Sequence, residues 1–171
     1  TNLSAVLDAV ASLTAISADV TAEVQNLVDA YAHFIEVADG TDDDDKAIVE
    51  QDYTDLGITL STDAAVKAAQ LTVLADAYDV KSYSDIDTIV ELQAIVDAVK
   101  SVLDTAKLDV ATTDFTSNGA SITELKLLGI ARVTNDNLAS VRWILANEAT
   151  TEGDLDTLNS LSEIQSLVAN V

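Results

Sequence analysis

The chain has 171 residues, with 30 acidic against 8 basic side chains and a formal net charge of −22. A surface this negative repels phosphate backbones and anionic bilayers, which disfavours nucleic acid and lipid surfaces as partners. Cysteine, methionine and proline are absent and histidine occurs once. That excludes disulfides, thiolate nucleophiles, Cys-type zinc sites and any histidine-based triad or metal cluster.

Hydrophobic residues make up 49% of the chain but aromatic ones only 4%. Alanine, valine, leucine and isoleucine in these proportions predict an all-α fold with a small-residue core. No apolar run reaches the roughly 18 residues that a spanning helix needs, so no membrane insertion is expected. The start, Thr1-Asn2-Leu3, has neither an initiator methionine nor a signal-peptide n-region, and the expectation is a segment of a longer protein.

In chain order, Leu3, Val6, Leu7, Val10, Leu13, Ile16, Val20, Val24, Leu27, Val28, Tyr31, Phe34 and Ile35 recur in steps of three and four. This is a helical stripe over 3–38, as one helix or as two with a break near 17–21. Asp39-Gly40 stops it, and an acidic loop, 41–45, follows. A short helix is predicted over 46–56, ending at Gly57, and Ser61 or Thr62 caps the next, with Val66, Ala69, Val73 and Leu74 inward. Thr88-x-x-Glu91 is a capping box that opens a helix through about Lys107. The polar stretch 111–120 reads as a linker. Beyond it, Ser121-x-x-Glu124 caps a short helix ending at Gly129, Thr134 opens another, and Ser160-x-x-Glu163 caps the last.

The order of these elements repeats, and so do the residues. Leu56-Gly57-Ile58 returns as Leu128-Gly129-Ile130, 72 residues later, and Thr88–Val96 lies over Ser160–Val168 at the same offset. No gap is needed between 56–99 and 128–171. A fixed period predicts tandem three-helix-bundle repeats: 1–40 as the closing helix or helices of an upstream repeat, 41–110 as repeat 1 and 111–171 as repeat 2.

A helix ending in Leu-Gly-Ile, a capped second helix and a third reading Thr-Ile-Val-Glu-Leu-Gln-Ala-Ile-Val-Asp (88–97) resemble the GA module, the three-helix albumin-binding module of Gram-positive surface proteins. The chain is closer still to the GA-like repeats of very large secreted or cell-surface, adhesin-type proteins of Gram-negative bacteria. Ala38-Asp39-Gly40-Thr41 and Asp52-Tyr53-x-x-Leu56-Gly57-Ile58 match strings common in those proteins. The resemblance covers roughly 52–99 and 121–171. It implies an extracellular or cell-surface helical repeat whose partners are neighbouring repeats of the same parent chain. The stretch from Gly57 to Thr88 is much longer than the second helix of a GA module allows, so the albumin-binding face does not carry over.

Three features invite a site. Asp39, Thr41, Asp43 and Asp45 fall at positions 1, 3, 5 and 7 of a twelve-residue loop closed by Glu50, the ligand spacing of a calcium-binding EF-hand. Against calcium, Asp44 stands where the sharp turn needs glycine, and Lys46 is charged. A solvated loop favouring the next helix N-terminus is the preferred reading. The lone His33 is expected at a surface or boundary position, and the pairs Asp85/Asp87 and Asp154/Asp156 at helix entries. Trp143 beside Arg142 is the one candidate for partner binding. Its counterpart by offset, Leu71, is also apolar, so packing against a neighbouring helix is the favoured alternative. Together these readings predict a non-enzymatic structural or adhesive repeat without a cofactor. A protein-binding module acting through a helical face is the second expectation.

Overall fold

The computed structural model describes Ala11, residues 21–38 and 48–152, Leu155, Leu158 and residues 160–171, and seven α-helices are defined among these described residues. The protein is all-α, with no β-strand among the described residues. The N-terminal stripe forms α1 (Thr21–Val37). It buries Leu27, Ala30, Tyr31, Phe34 and Val37, spaced to share one face. Residues 3–20 lie outside the described residues apart from Ala11, so the choice between one helix and two does too.

Two short helices follow the same rules of start and stop. In α2 (Glu50–Asp55) the Asp52 carboxylate turns back to accept from the Val49 N–H at 2.9 Å. Further along, in α5 (Ile122–Leu127), the Ser121 hydroxyl accepts from the Glu124 N–H at 3.2 Å. The Glu124 carboxylate in turn accepts from the Ser121 N–H at 2.6 Å, completing the expected capping box. Both helices end in a Schellman turn on glycine. Ile58 N–H donates to the Tyr53 carbonyl at 2.8 Å, and Ile130 N–H donates to the Leu125 carbonyl at 3.0 Å. Gly57 and Gly129 take φ of 70° and 72°, the left-handed conformation that a side chain resists. Leu56, Ile58, Leu128 and Ile130 are all buried, so each Leu-Gly-Ile anchors its turn in the core.

The long helices are α3 (Ala64–Asp79), α4 (Ile89–Ala106) and α6 (Leu138–Glu152), and α7 (Leu161–Val168) closes the chain. Asp63, not Ser61 or Thr62, caps α3: its carboxylate accepts from the Ala65 and Val66 N–H groups at 3.0 and 3.2 Å. Ser61 is instead buried beneath the entry, its N–H donating to the Gln70 side chain at 2.9 Å. The Thr88/Glu91 box opens α4 as expected, with bonds of 3.0 and 3.2 Å. Thr134 starts a turn, and α6 begins four residues later at Leu138.

Contacts group the chain into two compact units. The first takes the residues up to Thr59 together with Ala75–Ala94; the second takes Leu60–Leu74 with Ile95–Val171. The grouping by contact crosses the sequence blocks 41–110 and 111–171, because α3 and α4 each supply residues to both units.

In the first unit, Phe34 meets the edges of Tyr53 and Tyr78 with ring centroids 5.2 and 5.1 Å apart. Tyr31 and Tyr78 satisfy their buried hydroxyls on the Ile86 and Leu92 carbonyls, both at 3.0 Å. Burial, reinforced by the charges of Asp87 and Glu91, pushes the Tyr31 phenol up to about 12. The core of the second unit is aliphatic. Val73, Leu74, Val96, Val99, Leu103, Leu125, Val141 and Leu145 are fully enclosed, and Phe115 is its only buried ring among the described residues.

Candidate functional site

The stretch 111–120, expected as a linker, belongs to a built loop that starts at Asp109. Its polar residues fold it locally before anything else holds it. The Asp109 carboxylate accepts from the Ala111 N–H at 2.8 Å and the Thr112 hydroxyl at 3.0 Å. Five residues on, the Asp114 carboxylate accepts from the Thr116 N–H and hydroxyl at 3.0 and 2.6 Å and from the Ser117 hydroxyl at 3.1 Å. These bonds, the Thr116 hydroxyl foremost, hold the Asp114 carboxyl below the usual carboxylate range. Aspartate, serine and threonine spaced two or three apart are turn formers for this reason, so the composition that suggested a linker also writes a fixed turn.

Two buried polar side chains then fasten the loop to the helices of its own unit. Arg142 on α6 is 7% exposed and donates from Nε to the Ala120 carbonyl at 2.8 Å. Its Nη1 reaches the Phe115 and Thr116 carbonyls at 3.0 and 3.2 Å. Thr105 on α4, 1% exposed, accepts from the Ala120 N–H at 2.7 Å while donating to the Ser101 carbonyl at 2.7 Å. Gly119 passes between these two side chains with φ of 108°. A Cβ there would lie 2.9 Å from Thr105 Cγ2 and 3.2 Å from Arg142 Cδ, so only glycine fits.

Beside this clamp runs an open groove of about 340 Å³, lined by Asp97, Lys100, Ser101, Asp104, Thr105, Leu108, Asn118 and Gly119. Most of its lining residues carry polar side chains, with Leu108 the apolar exception. Lys100 is paired with Asp104 one helical turn along.

Trp143 and Arg142 are neighbours in sequence but go to different places. Arg142 is enclosed and committed to three carbonyls of its own chain. Trp143 stands 45% exposed, the largest apolar side chain on the surface of α6. The apolar counterpart Leu71 had favoured packing; nearly half of the indole remains open to solvent.

Of the calcium reading, Asp39, Thr41, Asp43 and Asp45 lie outside the described residues, while Glu50 opens α2 at an exposed position. Among the described residues no group of three or more His, Asp or Glu side chains converges as a metal cage. His33 is 42% exposed, at the boundary as expected. Its Nδ1 lies 3.0 Å from the buried Asp52 carboxylate, whose other oxygen holds Val49 N–H. Asp85 does serve a helix entry, accepting from the Ser82 N–H and hydroxyl at 3.0 and 2.7 Å.

Sequence reasoning missed Gln70, Thr105 and the buried role of Arg142. Gln70 is fully enclosed and bridges the Ser61 N–H to the Val96 carbonyl, at 2.9 and 3.0 Å. The signal was present: Gln70 falls between Val66 and Val73 on the apolar stripe of α3, and Arg142 between Leu138 and Leu145 on that of α6. A polar residue inside such a stripe needs buried partners. No helix among the described residues is long and apolar enough to cross a membrane. Comparison with protein-family models, curated proteins and solved structures found no match.

Proposed function

We propose that the chain is a segment of a tandem helical array, two three-helix units of period 72 joined to the closing helix of an upstream unit. It would serve as a non-enzymatic structural or adhesive spacer of a large secreted or cell-surface protein. One observation carries the reading: features of the folded chain recur at the sequence offset. Helix α2 spans Glu50–Asp55 and α5 spans Ile122–Leu127, each 72 residues from the other at both ends, and α4 and α7 start at Ile89 and Leu161. The left-handed glycines, the two Schellman turns and the buried polar pair Gln70 and Arg142 keep the same spacing. Independent helices would have no reason to share it. The GA-like resemblance and the net charge of −22 support a surface-exposed, well-solvated role.

The mechanism is mechanical. Each unit buries its apolar stripes against neighbouring helices, so added units lengthen the array and hold a distal region away from its anchor. The test is to duplicate residues 49–120 in place, which inserts one period in register. Unchanged helicity per residue, a single cooperative melt and a longer maximum dimension in small-angle scattering are expected. An inserted block that stays unfolded, with helicity per residue falling, would overturn the array.

The exposed indole of Trp143 supports a second reading, a protein-binding module acting through the face of α6.

A further inference from the structure

We infer that Asn118–Gly119 is a self-modifying site, a deamidation point held dormant by the clamp of Thr105 and Arg142. The chemistry belongs to the dipeptide. With no side chain on Gly119 to obstruct it, the Gly119 backbone nitrogen can attack Asn118 Cγ. The nitrogen loses its proton to solvent base, a new C–N bond closes a five-membered succinimide, and Nδ2 leaves as ammonia with a proton from water. Water then opens the ring at one of its two carbonyls, leaving aspartate or isoaspartate at position 118. Only water is consumed, and nothing is oxidised or reduced. Asn118 is exposed and lines the open groove, so water reaches it.

The fold withholds what the chemistry needs, which is rotation about the 118–119 junction. The Asn118 carboxamide is pinned from both sides: Nδ2 donates to the Asp114 carbonyl at 2.9 Å and to Ser117 Oγ at 3.1 Å. Gly119 runs beside Thr105 and Arg142, which leave no room for a Cβ. Ala120, the next residue, is tied at its N–H by Thr105 and at its carbonyl by Arg142. To bring its nitrogen onto Cγ, Gly119 must leave that slot, so the rate follows the fraction of time the loop is open. Once formed, isoaspartate adds a methylene to the main chain at the clamped turn, and either product removes the amide donor to the Asp114 carbonyl. The change is irreversible and loosens the clamp. By offset, Lys46-Ala47 occupies the matching place in the first block, so the site is peculiar to this loop.

The test incubates the folded 171-residue protein at mildly alkaline pH. Peptide mass mapping then follows conversion of the 112–126 region, and isoaspartate methylation distinguishes the products. The chain in urea should convert fastest and the native protein slowest. Thr105→Val, which removes the Ala120 tie, should convert about tenfold faster than the native protein while keeping its helical circular dichroism. Should that variant not fold, Arg142→Lys, which retains the charge but not the three-carbonyl geometry, takes its place. Asn118→Gln is the unreactive control. Equal rates for native protein and variant, equal rates native and in urea, or no product in urea would each overturn the proposal.

Discussion

The two compact units solve one problem in different ways. Each must fasten a helix to the N-terminus of a short helix that ends in Leu-Gly-Ile. In the first unit, rings do most of the work: Phe34 is fully enclosed between the edges of Tyr53 and Tyr78, and Tyr31 reaches across to the Ile86 carbonyl. Its polar tie, His33 to Asp52, sits at the partly exposed margin. In the second unit Leu125 stands where Tyr53 does by offset, and Ala106 where Phe34 does. The area those rings would have buried is missing, and buried polar ties take over from Gln70, Thr105 and Arg142. Aromatic packing is non-directional in its main term and tolerates small shifts, whereas a buried guanidinium is satisfied only where its carbonyls stand. The second unit is therefore the more specific of the two in geometry.

The largest expected effect tests the ring side of this contrast. Phe34→Ala leaves a cavity between two tyrosines and deletes both edge-to-face pairs, at a cost of about 3–5 kcal/mol. Urea unfolding followed by circular dichroism measures it. A loss below about 1.5 kcal/mol, the level of a volume-conserving core swap, would mean that the ring cluster is not the anchor of the first unit.

The polar side comes next. Arg142→Ala strands the Ala120, Phe115 and Thr116 carbonyls, with an expected loss of roughly 1.5–3 kcal/mol. Amide exchange should localise the damage to 109–120 and α5, with Tyr31 and Phe34 left protected. If protection falls equally around those rings, the two units are not separate in stability, and the contrast between them breaks.

Much of this was written in the sequence, and the reasons are local. The helical stripe over Leu27, Tyr31 and Phe34, the boxes at Thr88/Glu91 and Ser121/Glu124, and both Leu-Gly-Ile stops were legible because each depends on neighbours within five residues. The cap of α3 was misplaced by one or two positions, since Ser61, Thr62 and Asp63 all suit the role and only the turn of the chain selects Asp63. The stretch 111–120 reads as a linker because its composition fits a flexible segment and a fixed one equally. The carbonyls that distinguish them are presented to Arg142 from 22 to 27 residues away. Of the candidate site, Trp143 was legible as an unusual residue on α6. Its exposure was not, because that depends on what other helices leave uncovered.

Trp143 carries the smallest expected effect and the sharpest choice between the two functional readings. An indole that is 45% exposed makes few of the contacts that stabilise a core. Trp143→Ala should therefore change stability by no more than about 0.5 kcal/mol, as surface substitutions do. The chain has one tryptophan, so its fluorescence reports this position alone, and acrylamide should quench it readily in the folded protein. A spacer has no need of an exposed indole on a surface otherwise crowded with carboxylates, whereas a binding face does, since tryptophan is enriched among interface anchors. A small stability change with easy quenching would leave the side chain free for a partner and strengthen the binding-module reading. A loss above about 2 kcal/mol with a shielded indole would make it a packing residue. The spacer would then keep a surface with no apolar anchor on α6.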